Sequence, residues 1–347
     1  MTDRPKKPTM KDVALRAQVS VQTVSAVINQ KPEITDRTKT RVLEAIAELG
    51  YRPYKVARSL RTRQTHTLAL IVSDIANPPF AALASAAEDH ARAFGYSLMV
   101  YNTHDDSDRE ISYIQGAAQS WVDGVLFVPA GDRMPALEAL HAAGIPSVSI
   151  DRVPEGYAGP VVKLDHAAAG RQAAAHLIAL GHTRIAHIAG PRALQVGRER
   201  LEGFYQGMRF AGLEPDEQLI EEGNWGYEEG YRAMTRILSR PPHPTALFAA
   251  SDRMAIGAIR AAYEAGLRVP DDLAVVGVDN IEVTAYTIPS LTTIIQPYAR
   301  MGTLAVRMLL DLLDGRMPDP SQVFIAPELV IRQSSAPPRS LRQRETA

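Results

Sequence analysis

Residues 10–30 read MKDVALRAQVSVQTVSAVINQ, and their spacing decides the character of the whole N-terminal region. Thr9 is placed to cap a first helix, with the acidic Asp12 three residues on, a variant of the capping box. Val13, Ala14 and Ala17 then make a small apolar face. Ser20 is a second N-cap. Val24, Val27 and Ile28 recur at i, i+3 and i+4, and would pack a second helix onto the first. Val21, Gln22, Ser25, Ala26 and Asn29 are left facing outward. The pattern predicts a helix-turn-helix, whose second helix enters the DNA major groove with its N-terminal residues at the base edges. Thr9, Ser20 and Thr23 flank those outward positions and join them as candidate DNA contacts.

The next segment extends the bundle. Thr35 is an N-cap, Val42, Ala45, Ile46 and Leu49 form an apolar stripe, and Gly50 ends that helix. Residues 51–65 then read YRPYKVARSLRTRQT. Pro53 suits a first helical turn. Val56, Ala57 and Leu60 share one face among Lys55, Arg58 and Arg61. So short a helix is marginal alone, because nucleation is costly. It is expected to order against DNA or a partner copy.

Charge separates this module from the rest. The full chain of 347 residues carries 38 Lys and Arg against 39 Asp and Glu. Residues 1–63 hold 14 basic and 6 acidic residues, a net +8, so the remainder has 24 and 33, a net −9. A basic N-terminal module is the footprint of a phosphate-binding surface. There is no cysteine, which excludes disulfides and Cys-ligated zinc. No signal peptide and no apolar run of about 20 residues is present, so a cytoplasmic protein with no membrane segment is expected.

From Thr67 the pattern changes. TLALIVS, YSLMVYN, GVLFVPA and IPSVSI are short apolar runs between Ala-rich helical stretches, and RIAHIAG, TALFAAS and LAVVGVD repeat the scheme. Apolar runs alternating with helices indicate parallel sheets covered on both faces. The repetition predicts two doubly wound α/β lobes. In such sheets ligands bind outside the carboxyl ends of the strands. The residues there are Asp74, Asn77 and Phe80, then Arg198, Trp225, Asp252 and Asp279, with Phe127 assigned to the same site. Aromatic faces beside carboxylates and an arginine suit a sugar, which offers apolar C–H faces and a ring of hydroxyls. N-capping is the alternative for Asp252, covering a lobe is the alternative for Trp225, and Arg200 competes with Arg198 for the cleft. Asp151 reads as a hinge or cap residue. The histidines, including His166, His176, His182 and His187, form no HExxH pair, and no GxxxxGK[ST] loop or post-strand GxGxxG occurs. No catalytic group, metal or cofactor is therefore expected.

The blocks DVALRAQVSVQTVSAVIN, ELGYRPYKVARSL, DIANPPF, GPRALQVGRERLEGF, EGNWGYEEGY, ASDRMAIGAIRA and VVGVDNIEVTAYTIPSLTTI, in this order, closely resemble the lactose/galactose repressor (LacI) family of bacterial transcription regulators. The resemblance spans nearly the whole chain. It implies a helix-turn-helix domain over 1–52, a hinge helix and linker over 53–65, and a periplasmic-binding-protein-like effector domain over 66–335. The N-lobe would take about 66–165 and 297–326, the C-lobe about 166–296 and 327–335, and 336–347 would be a loose tail. Arg58, Leu60 and Arg61 fall in the hinge, with Leu60 as the wedge that enters the minor groove. The effector positions named above are implied as well, although Pro79 stands where the family's NPFF has an aromatic. Short side chains at Val21 and Ala26 shift base readout towards Gln22. The resemblance implies a homodimer on a near-palindromic operator, controlled by a small molecule, a sugar first and a purine-type corepressor second. A solute-binding protein without DNA function would lack the basic module, and an enzyme would need a nucleophile–base pair or a metal cluster.

Overall fold

A computed structural model describes residues 8–28, 31–51, 64–120, 122–133, 137–339 and 341. The chain forms two compact units, residues 1–65 and 66–347. Asn29 and the hinge positions Arg58, Leu60 and Arg61 lie outside the described residues.

The first unit holds α1 (Met10–Ala17), α2 (Val21–Ile28) and α3 (Asp36–Leu49). The Asp12 carboxylate accepts both the Thr9 N–H and the Thr9 hydroxyl at 2.7 Å, so this box closes through the acid. Ser20 Oγ accepts the Thr23 N–H at 3.0 Å and caps α2. Gly50 adopts φ 60°, and the Tyr51 N–H reaches back to the Ile46 carbonyl at 3.0 Å, which closes the end of α3. The buried seam is Val13, Ala14, Ala17, Val24, Val27, Val42, Ala45 and Tyr51.

The second unit contains two six-stranded sheets. Its first lobe runs β1 (Thr67–Val72), α4 (Pro78–Ala93), β2 (Ser97–Asn102), α5 (Ser107–Ser120), β3 (Gly124–Phe127), α6 (Leu137–Ala142), β4 (Ser147–Ile150) and β5 (Val161–Leu164). The second runs α7 (His166–Ala179), β6 (Ile185–Ala189), α8 (Gln195–Phe210), β7 (Ile220–Glu222), α9 (Tyr227–Leu238), β8 (Ala246–Ala249), α10 (Asp252–Glu264), β9 (Ala274–Asp279) and β10 (Thr292–Ile295). The chain then returns to the first lobe with α11 (Tyr298–Leu313) and β11 (Gln322–Ile325), and ends on β12 (Glu328–Val330) in the second. Strand order is β11-β5-β4-β3-β1-β2 in one sheet and β12-β10-β9-β8-β6-β7 in the other. All pairings are parallel except β10 with β12.

The two-residue strand period sorts the core. Leu68, Leu70 and Val72 face α4 and α11, while Ala69 and Ile71 face α5 and α6. In the second lobe α7 and α8 cover one face and α9 and α10 the other. Helices α7 and α8 cross closely. A Cβ on Gly203 would sit 2.0 Å from the Ala167 carbonyl, and one on Gly170 would sit 2.2 Å from the Arg200 carbonyl. Only glycine permits that approach, and it fixes the position of the turn bearing Arg200.

The segment after Ser335, expected to be loose, is docked as far as it is described. The Ala336 carbonyl contacts the His182 ring at 2.9 Å, and Leu341 packs beside Gly181. His182 and Gly181 close α7, so the tail is held by side-chain packing that no loop composition announces.

Candidate DNA-reading surface and effector cavity

In the first unit the cap and the apolar seam orient α2. With Val24 and Val27 turned inward, Ser20, Val21 and Gln22 are exposed, and Thr23, Ser25 and Ala26 are half-buried. The exposed residues therefore lie at the N-terminal end of the helix, where base edges are reached. The Thr9 hydroxyl is already engaged by Asp12, and the Ser20 hydroxyl by Thr23.

In the second unit a cavity of about 180 Å³ lies between the lobes, at the carboxyl ends of both sheets. Ser73 and Asp74 follow β1, Asp105 follows β2, and Asp151 with Arg152 follow β4. From the second lobe come Asn224 and Trp225 after β7, Ser251 after β8 and Asp279 from β9. Asn77 and Phe80 open α4, and the Phe80 ring meets Tyr298 of α11 edge-on at 5.6 Å.

Arg200 organises the floor and is 2% exposed. Its guanidinium donates to the Ala250 carbonyl and, at 2.6 Å, to Gln296 Oε1, and lies 3.9 Å from Asp279. Its Nε–H donates to His166 Nδ1 at 3.3 Å, so that nitrogen is the acceptor and His166 Nε2–H donates to Asp151 at 3.0 Å. The Gln296 amide donates to the same carboxylate. Burial lowers the His166 pKa and keeps the ring neutral. Burial opposes an ionised Asp151, but His166, Arg200 and Arg152 outweigh it and hold that carboxyl at about 2. Asp279 goes the other way: burial, with Asp151 nearby, pushes it up to about 7 against the pull of Arg200.

Eight buried side-chain polar atoms lack a partner among the described residues, and five belong to the cavity wall: Ser73 Oγ, Asn77 Oδ1, Arg152 Nε, Trp225 Nε1 and Arg253 Nε. Orphaned buried polar atoms are costly, so their gathering at one cavity marks a place for a hydrogen-bonding ligand. Trp225 and Asp279 also hold positive φ values of 71° and 121°. Side chains seldom adopt that region, and such strain concentrates at binding sites.

Comparison with known proteins places these two sites in one lineage. Residues 9–54 match the family described as bacterial regulatory proteins, lacI family, and residues 174–335 match the periplasmic binding protein-like domain. The HTH-type transcriptional repressor PurR of Edwardsiella ictaluri is 40% identical over 330 residues, covering 94% of this chain and 97% of that protein. The HTH-type transcriptional regulator CelR of Thermobifida fusca is 37% identical, covering 96% and 99%. The chain belongs to the LacI family. It is a helix-turn-helix transcription regulator of the repressor type under effector control. Two solved LacI-family structures share its fold. The Lac repressor dimer bound to operator and the anti-inducer ONPF superposes with a TM-score of 0.87 at 31% identity, over 95% of this chain and all of that one. The CelR–cellobiose complex gives 0.72 at 35%, over 94% and 100%. The relatives compared are regulators.

Of the effector positions expected in this LacI-family chain, Asp74, Asn77, Phe80, Trp225 and Asp279 line the cavity. Three do not. Phe127 is fully buried in the first lobe, against Tyr157 at 5.3 Å, because the strand period turns it towards α5 and α6. Arg198 is about half exposed and is paired with Asp132. Two residues along a helix is a rotation of about 200°, so Arg198 and Arg200 cannot both face the cleft. Asp252 is buried behind the wall, where it accepts the Ile281 N–H at 2.9 Å and the Thr293 hydroxyl. It is not an N-cap either: Ser251 caps α10. Asp252 pins the strained turn that carries Asp279.

Several lining residues escaped sequence reasoning. Arg152 follows a strand, and the strand-end rule applied to IPSVSI finds it, while its neighbour Asp151 lines the cavity although its sequence reading is a hinge or cap residue. Tyr298, which lines the cavity, and Gln296, which bonds the lining residues Arg200 and Asp151, belong to the returning segment, and only the tertiary fold brings them together. Among the described residues, no group of three or more His, Cys, Asp or Glu could hold a metal ion, and no helix is long and apolar enough to cross a membrane.

Proposed function

We propose that this regulator responds to an uncharged saccharide bound between the lobes. The five orphaned polar atoms around one cavity carry the proposal. A sugar's hydroxyls both donate and accept, which suits a wall of mixed donors and acceptors. The three wall arginines each have a carboxylate close by: Arg152 with Asp105 at 3.0 Å, Arg253 with Asp74 at 3.4 Å, and Arg200 with Asp279 at 3.9 Å. Charge is thus largely balanced before any ligand arrives, which favours a neutral one. Phe80, Trp225 and Tyr298 offer apolar faces for its C–H bonds. The CelR relative was solved with cellobiose.

Ser20, Val21, Gln22, Thr23, Ser25, Ala26 and Asn29 are the positions proposed to meet operator DNA, with Thr9 supporting the cap. Two copies would read a near-palindromic site, since half-site symmetry mirrors protein symmetry. Exposed apolar side chains on each lobe support a self-covering face: Phe94, Met99 and Val100 on the first, Tyr286 and Ile288 on the second. The Arg58 to Arg61 hinge would couple the two functions, and the protein would act in the cytoplasm, where its DNA is.

Calorimetric titration with cellobiose, glucose, hypoxanthine and guanine tests the effector class. Binding of a saccharide that changes operator affinity in a gel-shift is expected. Tight binding of a purine with no response to either sugar overturns the proposal.

A further inference from the structure

We propose that Asp132 is the N-cap of α8, supplied across the cleft by the opposite lobe. Through this cap Asp132 positions Arg200 in the cavity. The inference rests on the interlobe cavity being the effector site.

The first turn of any helix leaves backbone N–H groups without intrahelical partners. Helix α8 begins after Leu194, which has no acceptor in its side chain and makes no cap. The Gln195 N–H instead donates to Asp132 Oδ1 at 2.9 Å. The other carboxylate oxygen accepts from the Arg198 guanidinium. Asp132 belongs to the loop that follows β3 in the first lobe, whereas α8 belongs to the second. A carboxylate at this place satisfies an orphan donor and meets the positive end of the helix dipole.

Two further contacts join the same turn to the first lobe. The Val153 N–H donates to Gln195 Oε1 at 3.3 Å, and Lys163 Nζ lies 2.9 Å from both oxygens of Glu199. Arg200 is the next residue, about 100° further round the helix and on the side away from Arg198, in the cavity floor. The loop bearing Asp132 is itself anchored, because the Ala130 N–H donates to buried Glu110 at 2.9 Å and the Pro129 carbonyl accepts from Arg152 at 2.7 Å.

The consequence is a coupling. An ordinary N-cap belongs to the helix's own chain segment and stabilises it in every arrangement of the domain. This one acts only while the lobes are together. Closure therefore completes the first turn of α8 and holds Arg200 in place. By linkage, a ligand that engages Arg200 favours closure. Arg198 clasps the cleft from outside, and its role is to position the helix without touching the ligand.

The test uses the full-length protein and the variants Asp132→Ala, Asp132→Asn and Arg198→Ala. Asparagine caps about as well as aspartate, so it keeps the acceptor while losing the ion pair. Two quantities are measured: amide hydrogen exchange across residues 194–200 without effector, and cellobiose affinity by calorimetry. Asp132→Ala is expected to speed exchange of the first turn and weaken cellobiose about 5- to 30-fold, the size of a lost cap at 1.4 kcal/mol per tenfold. Asp132→Asn is expected to stay within about threefold of wild type, and Arg198→Ala to lose less than Asp132→Ala. Unchanged exchange in Asp132→Ala overturns the cap. So does Asp132→Asn behaving like Asp132→Ala, since the ion pair alone would then account for the loss. If wild-type protein ignores cellobiose, the saccharide assignment fails while the exchange measurement still decides the cap.

Discussion

Gln22 and Arg200 show how differently single residues come to matter. Gln22 is exposed because its neighbours Val24 and Val27 are not, and its amide can pair two ways with an adenine edge. Gln22→Ala is expected to cost roughly 1–3 kcal/mol and to relax selectivity at one base pair, measured by competition with operator variants. Unchanged selectivity would misplace the reading surface. Arg200 is buried, with partners in the second lobe and at Gln296 in a segment that joins the lobes. Arg200→Ala is expected to remove the effector response, whereas Arg198→Ala only weakens it, as titration of each variant would show. Glu110 is a third case. Its second carboxylate oxygen has no partner among the described residues, and burial pushes its pKa from 4.5 up to about 7. The folded protein holds that proton more tightly than the unfolded chain. The resulting stability is full below about pH 4.5 and is lost as pH rises through 7. Glu110→Gln, which keeps an acceptor for Ala130, is expected to flatten that slope and to be the more stable form at pH 8, by roughly 1–3 kcal/mol. Thermal unfolding from pH 5 to 8 checks it, and parallel curves would count against it.

At the scale of elements, the two glycines at the α7–α8 crossing set where the floor of the cavity lies. Gly203→Ala places a methyl against the Ala167 carbonyl, which is backbone and cannot swing aside. The helices must part, at a cost of about 1–3 kcal/mol or more. Arg200, one turn earlier, moves with them. A lowered unfolding temperature and weaker effector binding are expected together. A variant destabilised but with full effector affinity would show that α8 can tilt without moving its first turn.

At the scale of the whole molecule, the proposed regulation has the lobes influence the DNA-reading unit through residues 53–63, which lie outside the described residues. The hinge helix expected there would be too short to persist alone, and ordering it would cost roughly 1–2 kcal/mol per residue. Insertion of Leu60 into the minor groove would offset that cost and bend the duplex. Leu60→Ala is therefore expected to lower operator affinity far more than non-specific affinity, and to reduce the bend in a circular-permutation assay. An unchanged bend would exclude the wedge.

The sequence by itself determined what local rules govern. Caps at Thr9, Ser20 and Thr35, apolar stripes at helical spacing and alternating strand runs specify the three-helix unit and the two α/β lobes. The strand-end rule located Asp74, Asn77, Phe80, Trp225 and Asp279. Tertiary structure decided the rest. Helical phase, set by the glycine crossing, chose Arg200 over Arg198. Strand phase hid Phe127. The crossing between β10 and α11 brought Tyr298 to the cleft, and Gln296 to Arg200 and Asp151, from far along the chain. The cap of α8 came from a loop more than sixty residues earlier. Local patterns encode secondary structure because it depends on neighbours in the chain. A cleft depends on neighbours in space, which no window of sequence contains.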